Sequence, residues 1–227
     1  MLIKDLKLYT NNLNATFNFY SRKLNFTLAN KSKTSISFNV GDSLLTFQLN
    51  RNATPYHFAL TIPSNQVDSA LDWLESSGIK PIHKSFDFVF HNEDWNTRSI
   101  YFYDSDKNLV ELIARDNLSH NLGSTFSPDS IFGINEIVLA TGDVAQTYAQ
   151  LSKHTTLMMY DGNLVEVAAV GSESSLIILA NPNYLKLGPN QDTMYTSSFQ
   201  ATLKIGCRLL NINYVWNQLE IDNFILR

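Results

Sequence analysis

The chain has 227 residues, of which 44% are hydrophobic and 17% charged, and a formal net charge of −4. This composition supports a packed core, and it excludes both wholesale disorder and the basic footprint of a nucleic-acid-binding protein. The single cysteine excludes an internal disulfide, and no apolar run approaches the roughly 20 residues of a membrane span. We therefore predict a soluble, cytoplasmic protein without nucleic-acid or membrane partners.

The first unit of the chain reads as a strand, a helix and three further strands. Residues 3–9 alternate between apolar and polar side chains, and Asn12 follows as a plausible helix N-cap. Apolar residues then recur at helical spacing: Leu13, Phe17, Tyr20 and Leu24. The strand-like runs that follow are 26–29, 35–40 and 43–49.

The same order of elements recurs further along the chain. In the second unit, a strand at 56–62 precedes a helical stripe and three extended runs: 87–90, 98–103 and 109–114. A third, looser copy extends from 133 to 180, and after Pro182 only two strand-like runs remain: 199–205 and 214–219. This internal repeat is the strongest organisational feature of the sequence.

We predict an α+β fold in which repeated βαβββ modules pair into a curved, cup-like mixed sheet. A four-stranded unit with one helix leaves one sheet face uncovered, and pairing two units closes that face. The predicted domains are 1–115, with modules at about 1–52 and 53–115, a linker at 116–130, and a degenerate third module plus partial fourth at 131–227. The first two modules are expected to pair with each other, with a homodimer as the alternative.

Three segments resemble proteins of the vicinal oxygen chelate superfamily, which includes glyoxalases, bleomycin-resistance proteins and extradiol dioxygenases. LYTNNLNATFNFYSRKLNF (8–26) resembles the opening helix, and YHFALTIP (56–63) resembles the second-module strand with its leading histidine. IYFYDSDKNLVELIAR (100–115) resembles the closing hairpin that carries the ligand glutamate. The resemblance implies the glyoxalase/bleomycin-resistance/dihydroxybiphenyl-dioxygenase type of fold.

The resemblance also implies a metal site that takes one ligand from the first strand and one from the last strand of each module. Carried over, these positions are Asp5, Thr46, His57 and Glu111. Threonine departs from the family pattern, so the expected ligands are Asp5, His57 and Glu111, which suit Mn²⁺, Fe²⁺, Ni²⁺ or Zn²⁺. Glu111 is also the predicted catalytic group, as a general base.

Other predicted site residues come from the alternation of side chains across a strand. Lys7 and Tyr9 share a face with Asp5, and Thr46 and Gln48 share a face of their own strand. We therefore expect Lys7, Tyr9, Thr46 and Gln48 to contact a small-molecule substrate in the cup.

Simpler interpretations stand beside the metal site. His57 can hydrogen-bond to Glu111 with no metal, and Asp5 with Lys7 can be an ordinary ion pair. Glu136, at the leading position of the third unit, is expected to be solvated, and that unit is expected to cover or frame the cup rather than hold a site.

Two functional hypotheses lead. One is a divalent-metal-dependent lyase, isomerase or dioxygenase that acts on a small oxygenated molecule. The alternative is a metal-free protein that sequesters an aromatic or drug-like ligand. A structural dimer with an inactive site is a third interpretation, because fold does not determine function.

Overall fold

The structure is a computed structural model and describes residues 1–118 and 120–225. Three consecutive modules each contain a strand, a helix and three strands. The first consists of β1 (Leu2–Thr10), α1 (Leu13–Asn18), β2 (Thr27–Lys31), β3 (Ser35–Val40) and β4 (Ser43–Leu49). The second consists of β5 (His57–Thr61), α2 (Val67–Ser76), β6 (Phe90–Asn92), β7 (Thr97–Tyr103) and β8 (Leu109–Arg115). The third consists of β9 (Gly133–Ala140), α3 (Val144–His154), β10 (Met159–Gly162), β11 (Val167–Ser172) and β12 (Ser175–Ala180).

The chain closes with three strands that lack a helix: β13 (Phe199–Ile205), β14 (Arg208–Val215) and β15 (Gln218–Ile225). They form an antiparallel meander. The repeated α+β modules and the curved mixed sheet predicted from sequence are confirmed, and the sheet is not closed. Among the helices of the described residues, none combines the length and apolarity that a membrane crossing requires.

Two of the helices, α1 and α3, begin at a residue whose side chain caps the helix. The Asn12 side chain accepts a hydrogen bond from the Ala15 backbone N–H at 3.1 Å, and α1 continues as a π-helical turn over Phe19–Lys23. Asp143 caps α3 in the same way, accepting from the Gln146 backbone N–H at 2.8 Å. Each cap satisfies a backbone donor that the first helical turn leaves free.

Within each module the last strand returns parallel to the first. The parallel pairs are β1–β4, β5–β8 and β9–β12. Apolar side chains of one face, such as Leu6, Leu8 and Phe58, are completely buried in the core, whereas Asp5 and Lys7 on the opposite face are half-buried. The alternation read from sequence is therefore present in β1.

Pairing between modules differs from the expectation that the first two modules pair with each other. Strand β5 pairs antiparallel with β9, and β1 pairs antiparallel with β13. The expected pairing is wrong because each of these two edges is occupied by a strand from further along the chain. Alternation identifies the buried face of a strand, but it does not identify which strand lies beside it.

The first two modules meet through the turn before β8. The Asp106 carboxylate accepts hydrogen bonds from the hydroxyls of Thr10 and Thr16, each at 2.8 Å. Asp104 accepts one from the buried Tyr20 hydroxyl at 2.7 Å. Two carboxylates of this turn therefore anchor β1 and the helical segment of the first module.

The β3–β4 turn packs against the start of the third module. Gly41 has φ of +53°, and a Cβ added there would lie 2.3 Å from the Ile131 carbonyl oxygen. The next residue, Asp42, donates its backbone N–H to the Phe132 carbonyl at 2.9 Å. This close backbone approach requires glycine.

Candidate functional site

The predicted site residues fall into separate cavities. The cavity that we call the His57 cavity, about 350 Å³, is lined by groups from β5, β7, β8 and β9, including His57, Glu111 and Glu136. A second cavity of about 350 Å³, the Asp5 cavity, lies between β1 and β13–β15 and contains Asp5 and Lys7. The separation follows from the pairing of β1 with β13 and of β5 with β9.

The expected ligand set of Asp5, His57 and Glu111 is therefore not brought together. Asp5 lies beside Lys7, whose ammonium donates to the Gln200 amide oxygen at 2.9 Å. Burial raises the pKa of Asp5, and the charge of Lys7 opposes this shift. The charge of Lys7 thus acts on Asp5, as in the simpler interpretation, but the Lys7 ammonium makes its hydrogen bond to Gln200.

The four residues predicted to contact the substrate also lie outside the His57 cavity. The Thr46 hydroxyl hydrogen-bonds the Ser37 hydroxyl at 2.9 Å. Gln48 lies opposite Tyr9 in the β1–β4 ladder, and Tyr9 lines a third cavity near the β14–β15 turn. Lys7, Tyr9, Thr46 and Gln48 thus follow β1 and β4, away from His57.

His57 occupies a defined hydrogen-bonding position at the start of β5. Its Nδ1 lies 2.9 Å from the Leu109 carbonyl oxygen, and its Nε2 lies 3.3 Å from Oε2 of Glu111. A carbonyl oxygen only accepts, so Nδ1 carries a proton. Nε2 is then the nitrogen that faces the carboxylate.

The two groups stabilise each other's charged forms. Burial lowers the pKa of His57, but the hydrogen bond and negative charge of Glu111 outweigh it, and the pKa is raised. Burial raises the pKa of Glu111, but the hydrogen bond and charge of His57 outweigh it, and the pKa is lowered. The pair is therefore an imidazolium and a carboxylate between the lowered pKa of Glu111 and the raised pKa of His57.

Glu136 completes this cluster, contrary to the expectation that it is solvated. Its side chain is on β9 opposite Ala59, and the residue is only 5% exposed. In register it lies opposite Leu176, as His57 lies opposite Leu109, so it holds the same position in the third module. A carboxylate within the apolar strand 133–140 was the sequence signal that could have identified it.

Arg115, which sequence reasoning did not single out, binds Glu136. Its Nη2 donates to Glu136, and its Nε donates to Asn135 Oδ1 at 2.9 Å. The guanidinium is buried and lies 5.4 Å from the Trp95 ring. Burial raises the pKa of Glu136 to about 7, the charge of Glu111 adds to this, and Arg115 opposes it.

Aromatic side chains form the walls of the His57 cavity. Phe90, Trp95 and Tyr101 line it. The Trp95 indole also donates to Asp161 Oδ2 at 2.6 Å, which joins the loop before β7 to β10 of the third module. The segment 91–95, which precedes β7, therefore contributes a wall of the cavity.

These groups do not fit a resident divalent ion as they are arranged. Over residues 1–118 and 120–225, no three His, Cys, Asp or Glu side chains are placed to hold a metal together. His57 and Glu111 offer two donors, but Glu136 is engaged by Arg115, and Ile178 stands in the third module where the second has Glu111. The Arg115 guanidinium that binds Glu136 would also repel a metal cation placed beside it.

The first half of the chain is similar in sequence to one known protein family. Residues 2–112 match the model of the Glyoxalase/Bleomycin resistance protein/Dioxygenase superfamily. No curated protein matches the chain.

Among solved structures, a putative dioxygenase from Bacillus subtilis subsp. subtilis str. 168 is 16% identical with a TM-score of 0.59, over 79% of this chain and 63% of that one. The chain thus spans less than two thirds of that protein. The fosfomycin resistance protein FosX from Listeria monocytogenes is 23% identical, with a TM-score of 0.41, over 50% of this chain and 93% of that one.

Lactoylglutathione lyase from Agrobacterium tumefaciens is 19% identical, with a TM-score of 0.43, over 49% of this chain and 92% of that one. Likeness at these identities concerns the fold alone. The segment 2–112, which holds the first two βαβββ modules, belongs to the glyoxalase/bleomycin resistance protein/dioxygenase superfamily.

Proposed function

We propose that the protein binds a small aromatic molecule in the His57 cavity and does so without a resident metal ion. One observation carries this proposal: the buried guanidinium of Arg115 engages Glu136 among the donors that a metal would need. Glu136 pairs with Arg115, and Glu111 pairs with His57. Because each carboxyl group already has a partner within the protein, the cluster needs no further cation.

The walls and size of the cavity support the ligand class. A volume of about 350 Å³ lies at the lower end of the range for small-molecule sites. Phe90, Trp95 and Tyr101 offer ring faces and edges to a planar molecule. His57 Nε2 and the carboxylates offer hydrogen bonds to a hydroxyl group on that molecule.

A metal-dependent lyase, isomerase or dioxygenase is the second candidate, and one observation favours it. The Leu109 carbonyl fixes the proton of His57 on Nδ1, which is the arrangement of many metal-binding histidines. Such an ion would be held by His57 and Glu111, and it would supply Lewis acidity to a bound oxygen. It would gain Glu136 only if Arg115 moved away.

Metal analysis and a ligand titration separate these candidates. The protein is produced in medium supplemented with Mn, Fe, Ni and Zn, its metal content is measured by mass spectrometry, and it is titrated calorimetrically with catechol with and without EDTA. We expect less than stoichiometric metal and catechol binding that EDTA does not change. Trp95→Ala should weaken this binding, whereas Asp5→Asn, in the other cavity, should not. Stoichiometric metal that disappears in His57→Ala, with catechol binding that EDTA abolishes, would support the second candidate instead.

A further inference from the structure

A tryptophan occupies an unfavourable position at the tip of the β14–β15 hairpin. Val215 pairs with Gln218, so Trp216 and Asn217 form a two-residue turn. Their φ angles are +52° and +63°, and Trp216 is 82% exposed. Such turns favour Asn and Gly, and a bulky residue with positive φ is rare. The position therefore combines backbone strain with an unpacked aromatic ring, which points to a role outside the core.

The ring borders a cavity of about 570 Å³, which we call the Trp216 cavity. Four of its lining residues are aromatic: Tyr9, Tyr56, Tyr195 and Trp216. Among residues 1–118 and 120–225, none of those that line it is charged. It shares no lining residue with the His57 cavity, so it is independent of the function proposed above.

Hydrogen bonds hold the walls of this cavity in place. The Tyr56 hydroxyl donates to the Ser198 carbonyl at 2.5 Å and accepts from the Tyr9 backbone N–H at 3.2 Å, which ties β1 to the segment before β13. Asn217 Oδ1 accepts from the Tyr214 hydroxyl at 2.7 Å. The turn is therefore fixed from inside the sheet while the Trp216 ring stays outside it.

Neutral amides complete the lining. Asn50, Asn52 and Asn217 lie around the cavity. Asn50 uses its Oδ1 to accept the Asn52 backbone N–H at 3.0 Å, so its Nδ2 remains a donor group. An anionic or cationic ligand would meet no opposite charge here.

Aromatic faces with neutral donors and acceptors suit a ligand that has apolar C–H faces and many hydroxyls but no charge. The negative faces of aromatic rings attract C–H groups, while amides pair with hydroxyls. We propose that the Trp216 cavity binds a neutral saccharide, with Trp216 as the ring on which the sugar stacks.

Indole NMR on the full chain tests this assignment. The three tryptophans give three indole N–H signals, and the Trp216 signal is the one absent from Trp216→Gly. The protein is titrated with glucose, galactose, N-acetylglucosamine, maltose and cellobiose. We expect at least one sugar to shift the Trp216 signal saturably and to leave the Trp95 signal in place. Tyr195→Ala should weaken the binding of that sugar by about tenfold.

Trp216→Gly separates binding from folding. Glycine tolerates positive φ, so this variant should unfold at the same or a higher temperature while it loses the sugar. Phe86→Ala is the matched control, because Phe86 is 94% exposed with φ of +77° and does not line the cavity. Equal affinity in Trp216→Gly and wild type, no shift with any of the five sugars, or a Trp216 shift with catechol alone would overturn the proposal.

Discussion

The guanidinium of Arg115 and the carboxylate of Glu136 form a buried ion pair between two modules, since Arg115 ends β8 and Glu136 lies within β9. The pair joins the two halves of the His57 cavity. It also gives the cavity a fixed positive charge that belongs to the protein itself. The charge of this one side chain therefore bears on both the stability of the sheet and the ligand that the cavity accepts.

Arg115→Met should destabilise the protein and create metal affinity. Removing one partner of a buried ion pair costs about 3–5 kcal/mol, because the other charge remains uncompensated. Without the guanidinium, we expect Glu136 to turn toward His57 and Glu111 and to complete a three-donor set for Mn²⁺ or Zn²⁺. Urea unfolding measures the first effect, and calorimetric titration with each ion measures the second.

Arg98→Met is the control for that substitution. Arg98 pairs with Asp116 at 2.7 Å, but both side chains are about one third exposed. Its loss should cost about 1 kcal/mol or less and should not change metal affinity. Stoichiometric metal in the wild type, or none in Arg115→Met, would contradict the role given to Arg115.

The His57–Glu111 pair should give stability that disappears in alkali. The pKa of His57 is raised above 6.5, so its contribution is complete below pH 6.5 and is lost as the pH rises through the folded value. The pKa of Glu111 is lowered below 4.5, so its contribution is lost only as the pH falls through that lower value.

Glu111→Gln should therefore reduce the unfolding free energy most between pH 4.5 and pH 6.5, by about 2 kcal/mol. In this variant the NMR titration of His57 should move to a lower pKa, because burial is then opposed only by the Leu109 carbonyl and the charge of Glu136. The His57 signal is identified by its absence in His57→Gln. A titration that does not move would show that the two groups are not coupled.

Asp104 should also make stability fall as the pH rises, but in a more acidic range than His57 does. Burial raises its pKa from 3.8 to about 6, against the hydrogen bonds from Tyr20 and Asn108. The folded state therefore binds the proton more tightly, and stability falls as the pH rises from 3.8 to about 6. A shift of about two units corresponds to about 3 kcal/mol. Urea unfolding of Asp104→Asn should lack this fall, and a constant difference between the two proteins across that range would refute it.

Gly41→Ala should be far more destabilising than Gly206→Ala. Both glycines have positive φ, +53° and +59°, so alanine costs about 1–2 kcal/mol at each. At Gly41 a Cβ would also lie 2.3 Å from the backbone of 131–132, whereas at Gly206 nothing lies within 4 Å. Thermal unfolding should separate the two variants by several kcal/mol beyond the common term, about the cost of forcing a packed backbone apart. Equal losses would show that the turn does not press on the third module.

Periodicity predicted the elements well, because strand alternation and helical spacing are properties of adjacent residues. Leu6 and Leu8 are buried, and Asn12 caps α1 as its position predicted. The expectation that Glu136 is solvated is wrong. Its own module offers no partner for the carboxylate, so the local sequence does not predict its burial.

The sequence does not show which residues of different modules pair with each other. Asp5 and His57 hold the same position in their modules, yet β1 and β5 pair with different strands, so the two side chains line different cavities. Arg115 was overlooked for the same reason, since its partner belongs to the next module. An ion pair between modules leaves no pattern in the sequence around either residue.

The ladder between β1 and β13 has a consequence for the newly made chain. Lys7 and its partner Gln200 are 193 residues apart, so β1 emerges from the ribosome long before the strand that covers its edge. Until then, that edge can recruit strands of other nascent chains, which is a route to aggregation. Contacts this distant in sequence also form slowly, so closure of the sheet by the late hairpin is expected to be among the last events of folding.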